Sequence, residues 1–200
     1  EGNKMKKVLS VLVILTIIVG SVFAAENDKL ILDSTVDPVT PLIGLKTEDS
    51  AGAEKVGTES GVHVSTGKSI ATTDIEWTFT VYQAGGVNSD DDAVDYARYK
   101  GTVTISLTPD KFYRYTGTTK ETAYTSGAAS VESAAAKTIT DKKVTAALDD
   151  SSKKIVATYT GKVDGDDLEL GTITCKWLKN TELPDGTYCA DILIEVSYDD

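Results

Sequence analysis

Period-two alternation of apolar residues constrains this chain more than any other feature. Ile75-Trp77-Phe79-Val81, Val103-Ile105-Leu107 and Ile192-Ile194-Val196-Tyr198 each place large apolar side chains at every second position. A strand sends alternate side chains to opposite faces, so each stretch reads as a strand with one buried face. Threonine and serine fill the positions between, as a half-solvated antiparallel sheet requires. Weaker strands are expected around 60–65, 111–116, 142–148, 153–161 and 168–178. Turn chemistry separates them at Ala84-Gly85-Gly86, Asp164-Gly165-Asp166 and Pro184-Asp185-Gly186. Such a series predicts an all-β fold, a sandwich of two antiparallel sheets. The one helical candidate is SGAASVESAAAK, residues 126–137, rich in alanine but without an apolar stripe; it reads as a short helix on a connection or as a loop. No internal repeat and no long linker divides the chain.

Residues 4–24, KMKKVLSVLVILTIIVGSVFA, open on Lys4, Lys6 and Lys7 and continue into an apolar run. The run ends at Val22-Phe23-Ala24, with small residues where a signal peptidase reads, so a secretory signal peptide cut between Ala24 and Ala25 is expected. The run is shorter than the roughly 20 residues of a spanning helix. Residues 1–4 precede Met5 and read as upstream sequence. The 20 basic and 31 acidic residues, less three lysines and one glutamate in the leader, become 17 and 30, a net charge of −13 over residues 25–200. Nucleic acid and anionic membrane surfaces ask for basic patches, so neither is expected as a partner.

Two cysteines, Cys175 and Cys189, in an oxidising compartment read as a disulfide. Closing a loop of about 15 residues would contribute roughly 3 kcal/mol. With the single His63 the two thiols fall short of four zinc ligands, and no metal or cofactor is expected. GVHVSTGKS, residues 61–69, has five residues between Gly61 and Gly67, where a phosphate-binding loop needs four before Gly-Lys-Ser. A turn at Ser65-Thr66-Gly67 is the better reading. The acidic stretches 89–95 and 164–167 lack the spaced ligands of an EF-hand and read as solvated loops. His63 stands in a Val-His-Val stretch, and no Gly-x-Ser-x-Gly elbow is present. Nothing here supports an enzyme.

LILDSTVDPV, residues 30–39, alternates like a strand, yet Thr40-Pro41 comes next in place of a hairpin turn. Just after a signal peptide, this stretch resembles the mature N-terminus of CS1-type pilins, the alpha-class fimbrial subunits of the chaperone–usher route. Their Val-Asp-Pro motif is matched by Val36, Asp37 and Pro38. At the other end, Pro184-Asp185-Gly186-Thr187-Tyr188 and the strand 190–198 are similar to the Gly-x-Tyr turn and last strand of these pilins and of the related spore-coat U proteins, through Gly186 and Tyr188.

The resemblance implies an immunoglobulin-like sandwich lacking one strand, in residues 40–200, preceded by a donor strand in 25–39 and the leader in 1–24. It implies that Leu30, Leu32, Ser34 and Val36 point into a neighbour's groove while Ile31, Asp33 and Thr35 face away. The expected function is a structural subunit of a cell-surface fimbrium serving adhesion. Its partners would be copies of itself in a head-to-tail filament, a periplasmic chaperone, an outer-membrane usher and a host-surface receptor. The alternative is a secreted monomeric sandwich binding carbohydrate or calcium.

Overall fold

Inward-facing apolar rows from two antiparallel sheets meet in one core. The computed structural model describes residues 36–48, 54–56, 65–125, 128–139, 143–164 and 168–199. The chain divides into Glu1–Val36 and Asp37–Asp200, and the strands named below all lie in the second unit. The signal peptide, donor residues 30–35, His63 and Gly165–Asp167 lie outside the described residues.

Every regular element among the described residues is a strand. In order they are β1 (Thr40–Glu48), β2 (Glu54–Val56), β3 (Ile75–Val87), β4 (Ala93–Val94), β5 (Tyr96–Pro109), β6 (Tyr113–Thr116), β7 (Thr119–Thr125), β8 (Ala129–Ala136), β9 (Val144–Asp149), β10 (Lys154–Asp164), β11 (Leu168–Trp177), β12 (Thr187–Cys189) and β13 (Ile192–Asp199). One sheet runs β2-β1-β3-β11-β8, with β4 on the end of β3, and a second runs β13-β5-β10-β9. A small third sheet, β12-β6-β7, stands apart. The alternation read from the sequence is present in β3, β5 and β13, and four of the five weaker strands appear as β6, β9, β10 and β11; the fifth, expected around 60–65, lies outside the described residues but for Ser65.

The core is the sum of those alternating faces. Val81 and Ile173 from one sheet and Val103, Ile105, Ile155 and Ala157 from the other are completely buried. The inward positions of neighbouring strands match in register: Ile105 faces Ile155 and Val103 faces Ala157. A one-residue slip would turn every one of these side chains to solvent, so burial itself locks the register.

Two local expectations are corrected. Residues 129–136 form an edge strand against β11, with Ala136 opposite Gly171 and Ala129 opposite Trp177. Alanine's helix preference is weak, and here the edge of β11 and the partial burial of Val131 and Ala134 override it. Ala84-Gly85-Gly86 is no turn, because β3 runs through it to Val87. The glycines serve close approach instead: a Cβ on Gly85, at φ +90°, would come within 2.3 Å of Val94 O, and one on Gly86 within 2.4 Å of Tyr96 O. Pro41 lies within a strand. It lies buried in β1 opposite Gly86, and a register shift between Pro41 and Ile43 absorbs its missing donor.

Candidate functional site

Among the described residues the strand β13 pairs with β5 alone, and so presents an open edge there. Its core-facing row is Ile192, Ile194, Val196 and Tyr198, opposite Pro109, Leu107, Ile105 and Val103. Those partners on β5 include Leu107 at 4% exposure and Ile105 and Val103 at 0%. Ile192, Ile194 and Val196 pack on the same core but are only half-buried. Burial therefore falls away within one strand spacing, and no described strand covers the apolar flank of β13. At the opposite edge the arrangement differs, since β8 and β9 contact one another across the two sheets.

The start of the domain lies on the same edge of β5. Val39, buried, exchanges backbone hydrogen bonds with Arg98 at 2.9 Å in both directions. From there β1 crosses to the other sheet, where Tyr198 Oη donates to Pro41 O at 2.8 Å. Asp37 and Pro38 are exposed, and Val36 of the preceding unit is 67% exposed. Leu30, Leu32 and Ser34 lie outside the described residues, so Val36 alone of the four expected contact residues has a described place.

Of the motif at the other end, Gly186 sits in a bend under Arg114, whose Nε lies 2.6 Å from where a Cβ would stand. Tyr188 Oη donates to Pro184 O at 3.0 Å, tying that bend to β12. This anchors the small sheet and leads the chain into β13. No family model, no curated protein and no solved structure matches this chain.

The expected Cys175–Cys189 bridge is not formed; both thiols are free. The two strands that carry them are not hairpin partners. Cys175 lies between Trp77 and Val131 in the first sheet and is fully buried, while Cys189 pairs with Tyr113 in the small sheet. Burial pushes the Cys175 thiol up to about 12. Burial, with Asp191 nearby, also raises Cys189. Since the thiolate is the reactive form, alkylation of native protein is expected to label Cys189 first and Cys175 only on unfolding. Mass spectrometry checks this; simultaneous labelling of both would contradict the buried placement of Cys175.

Sequence reasoning missed the charged clamp beside this region. Lys120 Nζ donates to Asp110 at 2.9 Å and to Asp191 at 3.2 Å, and stands 3.9 Å from the centre of the Tyr113 ring. The hydrogen bond from Lys120 holds Asp110 below the usual carboxylate range. Asp191 is 71 residues from Lys120 and Asp110 lies on the connection between β5 and β6, so no local spacing announces them. In the acidic stretch, Asn88 Oδ1 accepts from the backbone N–H of Asp90 and of Asp92, both at 2.9 Å. Among the described residues no three His, Cys, Asp or Glu side chains gather where they could hold a metal.

Proposed function

We propose that this protein is a structural subunit of an extracellular fimbrium, polymerised by donation of a strand from each subunit to the next and serving cell adhesion. The observation that carries the reading is the half-buried row Ile192, Ile194 and Val196 on an edge strand with no outer partner among the described residues. An uncovered apolar edge of this kind is an aggregation hazard in a monomer, and natural monomers blunt such edges. It is also the receptor of strand addition, in which main-chain bonds supply affinity and alternate side chains fill the groove.

The sequence supplies the complementary piece. Residues 30–36 alternate Leu30, Leu32, Ser34 and Val36 on one side against Ile31, Asp33 and Thr35 on the other. An immunoglobulin-like sandwich short of one strand, filled by the next copy, joins the two pieces in a contact that does not close and so builds a filament. In the cell a periplasmic chaperone would cover the edge before an outer-membrane usher passes the subunit on, and the leader would direct export. Protein collected from the cell surface and run in SDS is expected to give a ladder of multimers that collapses to one band on boiling. A single monomer band without heating would contradict the reading.

A further inference from the structure

The geometry points to Tyr198 as the stop that sets the register of the incoming strand, a positioning role that rests on the filament reading. Along β13 the core-facing row passes Ile192, Ile194 and Val196 and then reaches Tyr198. At this fourth position the side chain, 42% exposed at the rim of the core, reaches the other sheet, with Tyr198 Oη donating to Pro41 O at 2.8 Å.

Neither end of that span yields easily. Pro41 is fully buried and held opposite Gly86. Gly86 is itself so closely packed that a Cβ there would come within 2.7 Å of the Val39 side chain. On the other side the Tyr198 ring meets Tyr99 edge-on, with centroids 6.1 Å apart and planes at 87°. Tyr99 is backed by Tyr159 at 6.0 Å and 71°, and its ring lies over Gly101, where a Cβ would approach to 3.0 Å. The buried rings of Tyr99 and Tyr159 back the partly exposed ring of Tyr198 from the core side, and such edge-to-face contacts are favourable beyond the area they bury. Beyond Tyr198, Val39 already occupies the edge of β5 through its bonds to Arg98.

The open stretch is thus Ile192 to Val196, about 16 Å at roughly 3.3 Å per residue. A period-two strand can seat three inward side chains there before it meets the phenol. A strand without a stop can slip by two residues and keep the same face inward, whereas a one-residue slip exposes its apolar set. Tyr198 blocks the two-residue slip toward Asp199.

The test uses the full chain carrying Leu32→Asp, which accepts a strand but does not donate one. A synthetic peptide of residues 28–39 bears a nitroxide at position 35, on its outward face, and broadening of the β13 backbone amides is read by NMR. With Tyr198 in place, broadening is expected on one short stretch. With Tyr198→Ala it should spread by two residues toward Asp199, the smallest slip that keeps the face. Tyr198→Phe keeps the ring and loses only the tether to Pro41; it should give the same spread at lower amplitude, and serves if the alanine variant does not fold. An identical single stretch in every folded protein would overturn the stop and leave strand acceptance standing. Absence of broadening with Tyr198 intact would overturn both.

Discussion

Trp177→Ala is expected to cost about 3–5 kcal/mol, the range for a large aromatic removed from a core. Trp177 closes one end of the core from the last position of β11, opposite Ile75 and Ala129, and is 3% exposed. Its ring packs on Phe112, with centroids 5.4 Å apart and planes at 63°. Its Nε1 donates to Asp110 O at 2.7 Å, fixing the connection between β5 and β6. The alanine variant would leave a cavity and a carbonyl without its donor. Since a domain is stable by roughly 5–15 kcal/mol in all, the variant should be marginal. Trp177→Phe keeps most of the apolar volume and should lose less, with the missing hydrogen bond contributing on the order of 1 kcal/mol. Leu193→Ala is the control, because Leu193 points outward from β13 at 57% exposure; it should fall within about 0.5 kcal/mol of the parent. Urea unfolding measures all three, and equal losses at 177 and 193 would contradict the placement of the core.

Leu32→Asp is expected to abolish polymerisation while Ile31→Asp leaves it intact. An inward leucine such as Leu32 gains roughly 1.5–3 kcal/mol on full burial in a neighbour's groove. Ladder hydrogen bonds add about 1 kcal/mol each, net, against about 1–2 kcal/mol per residue for ordering the backbone. The balance is narrow enough that one inward leucine decides it. An aspartate there both loses that burial and places an unpaired carboxylate among the apolar side chains of β13. At Ile31 the same carboxylate would face solvent, since neighbours on a strand point to opposite sides. The two positions are adjacent, carry similar side chains and receive the same substitution, so any general effect on export or solubility falls on both alike.

The strands that the sequence announced are those whose partners are all apolar on one face. β3, β5 and β13 repeat every second residue because each lays a single row on the core. β1 escaped the same reading for a physical reason. In TPLIGLKTE the buried positions are Pro41, Ile43, Gly44 and Leu45, so a buried glycine breaks the alternation, Leu42 intrudes on the outer face and proline masks the pattern. Residues 129–136 carry mostly alanine and serine, which say little about period, and an edge position asks little of them. The double glycine at 85–86 looks like a turn in sequence because both uses of glycine, reversal and close approach, leave the same trace. The open edge itself was only half legible. Ile192, Ile194 and Val196 could be assigned to the core, but that they stand at an edge depends on which strand pairs with which. The brace of Tyr99, Tyr159 and Tyr198 joins three strands, and the clamp joins Lys120 of β7 to Asp110 and Asp191 on two connections; neither leaves a local sign.

The most direct measurement is thermal unfolding of the Leu32→Asp chain with and without a synthetic peptide of residues 28–39. A ligand that binds only the folded state stabilises it by about 2.7 kcal/mol at a hundredfold excess over Kd, which for a domain of this size is a rise in Tm of roughly 5–10 °C. The Tm should climb with peptide concentration, and a peptide that itself carries Leu32→Asp should leave it unchanged. A Tm indifferent to the native peptide would contradict the claim that β13 accepts a strand from another copy.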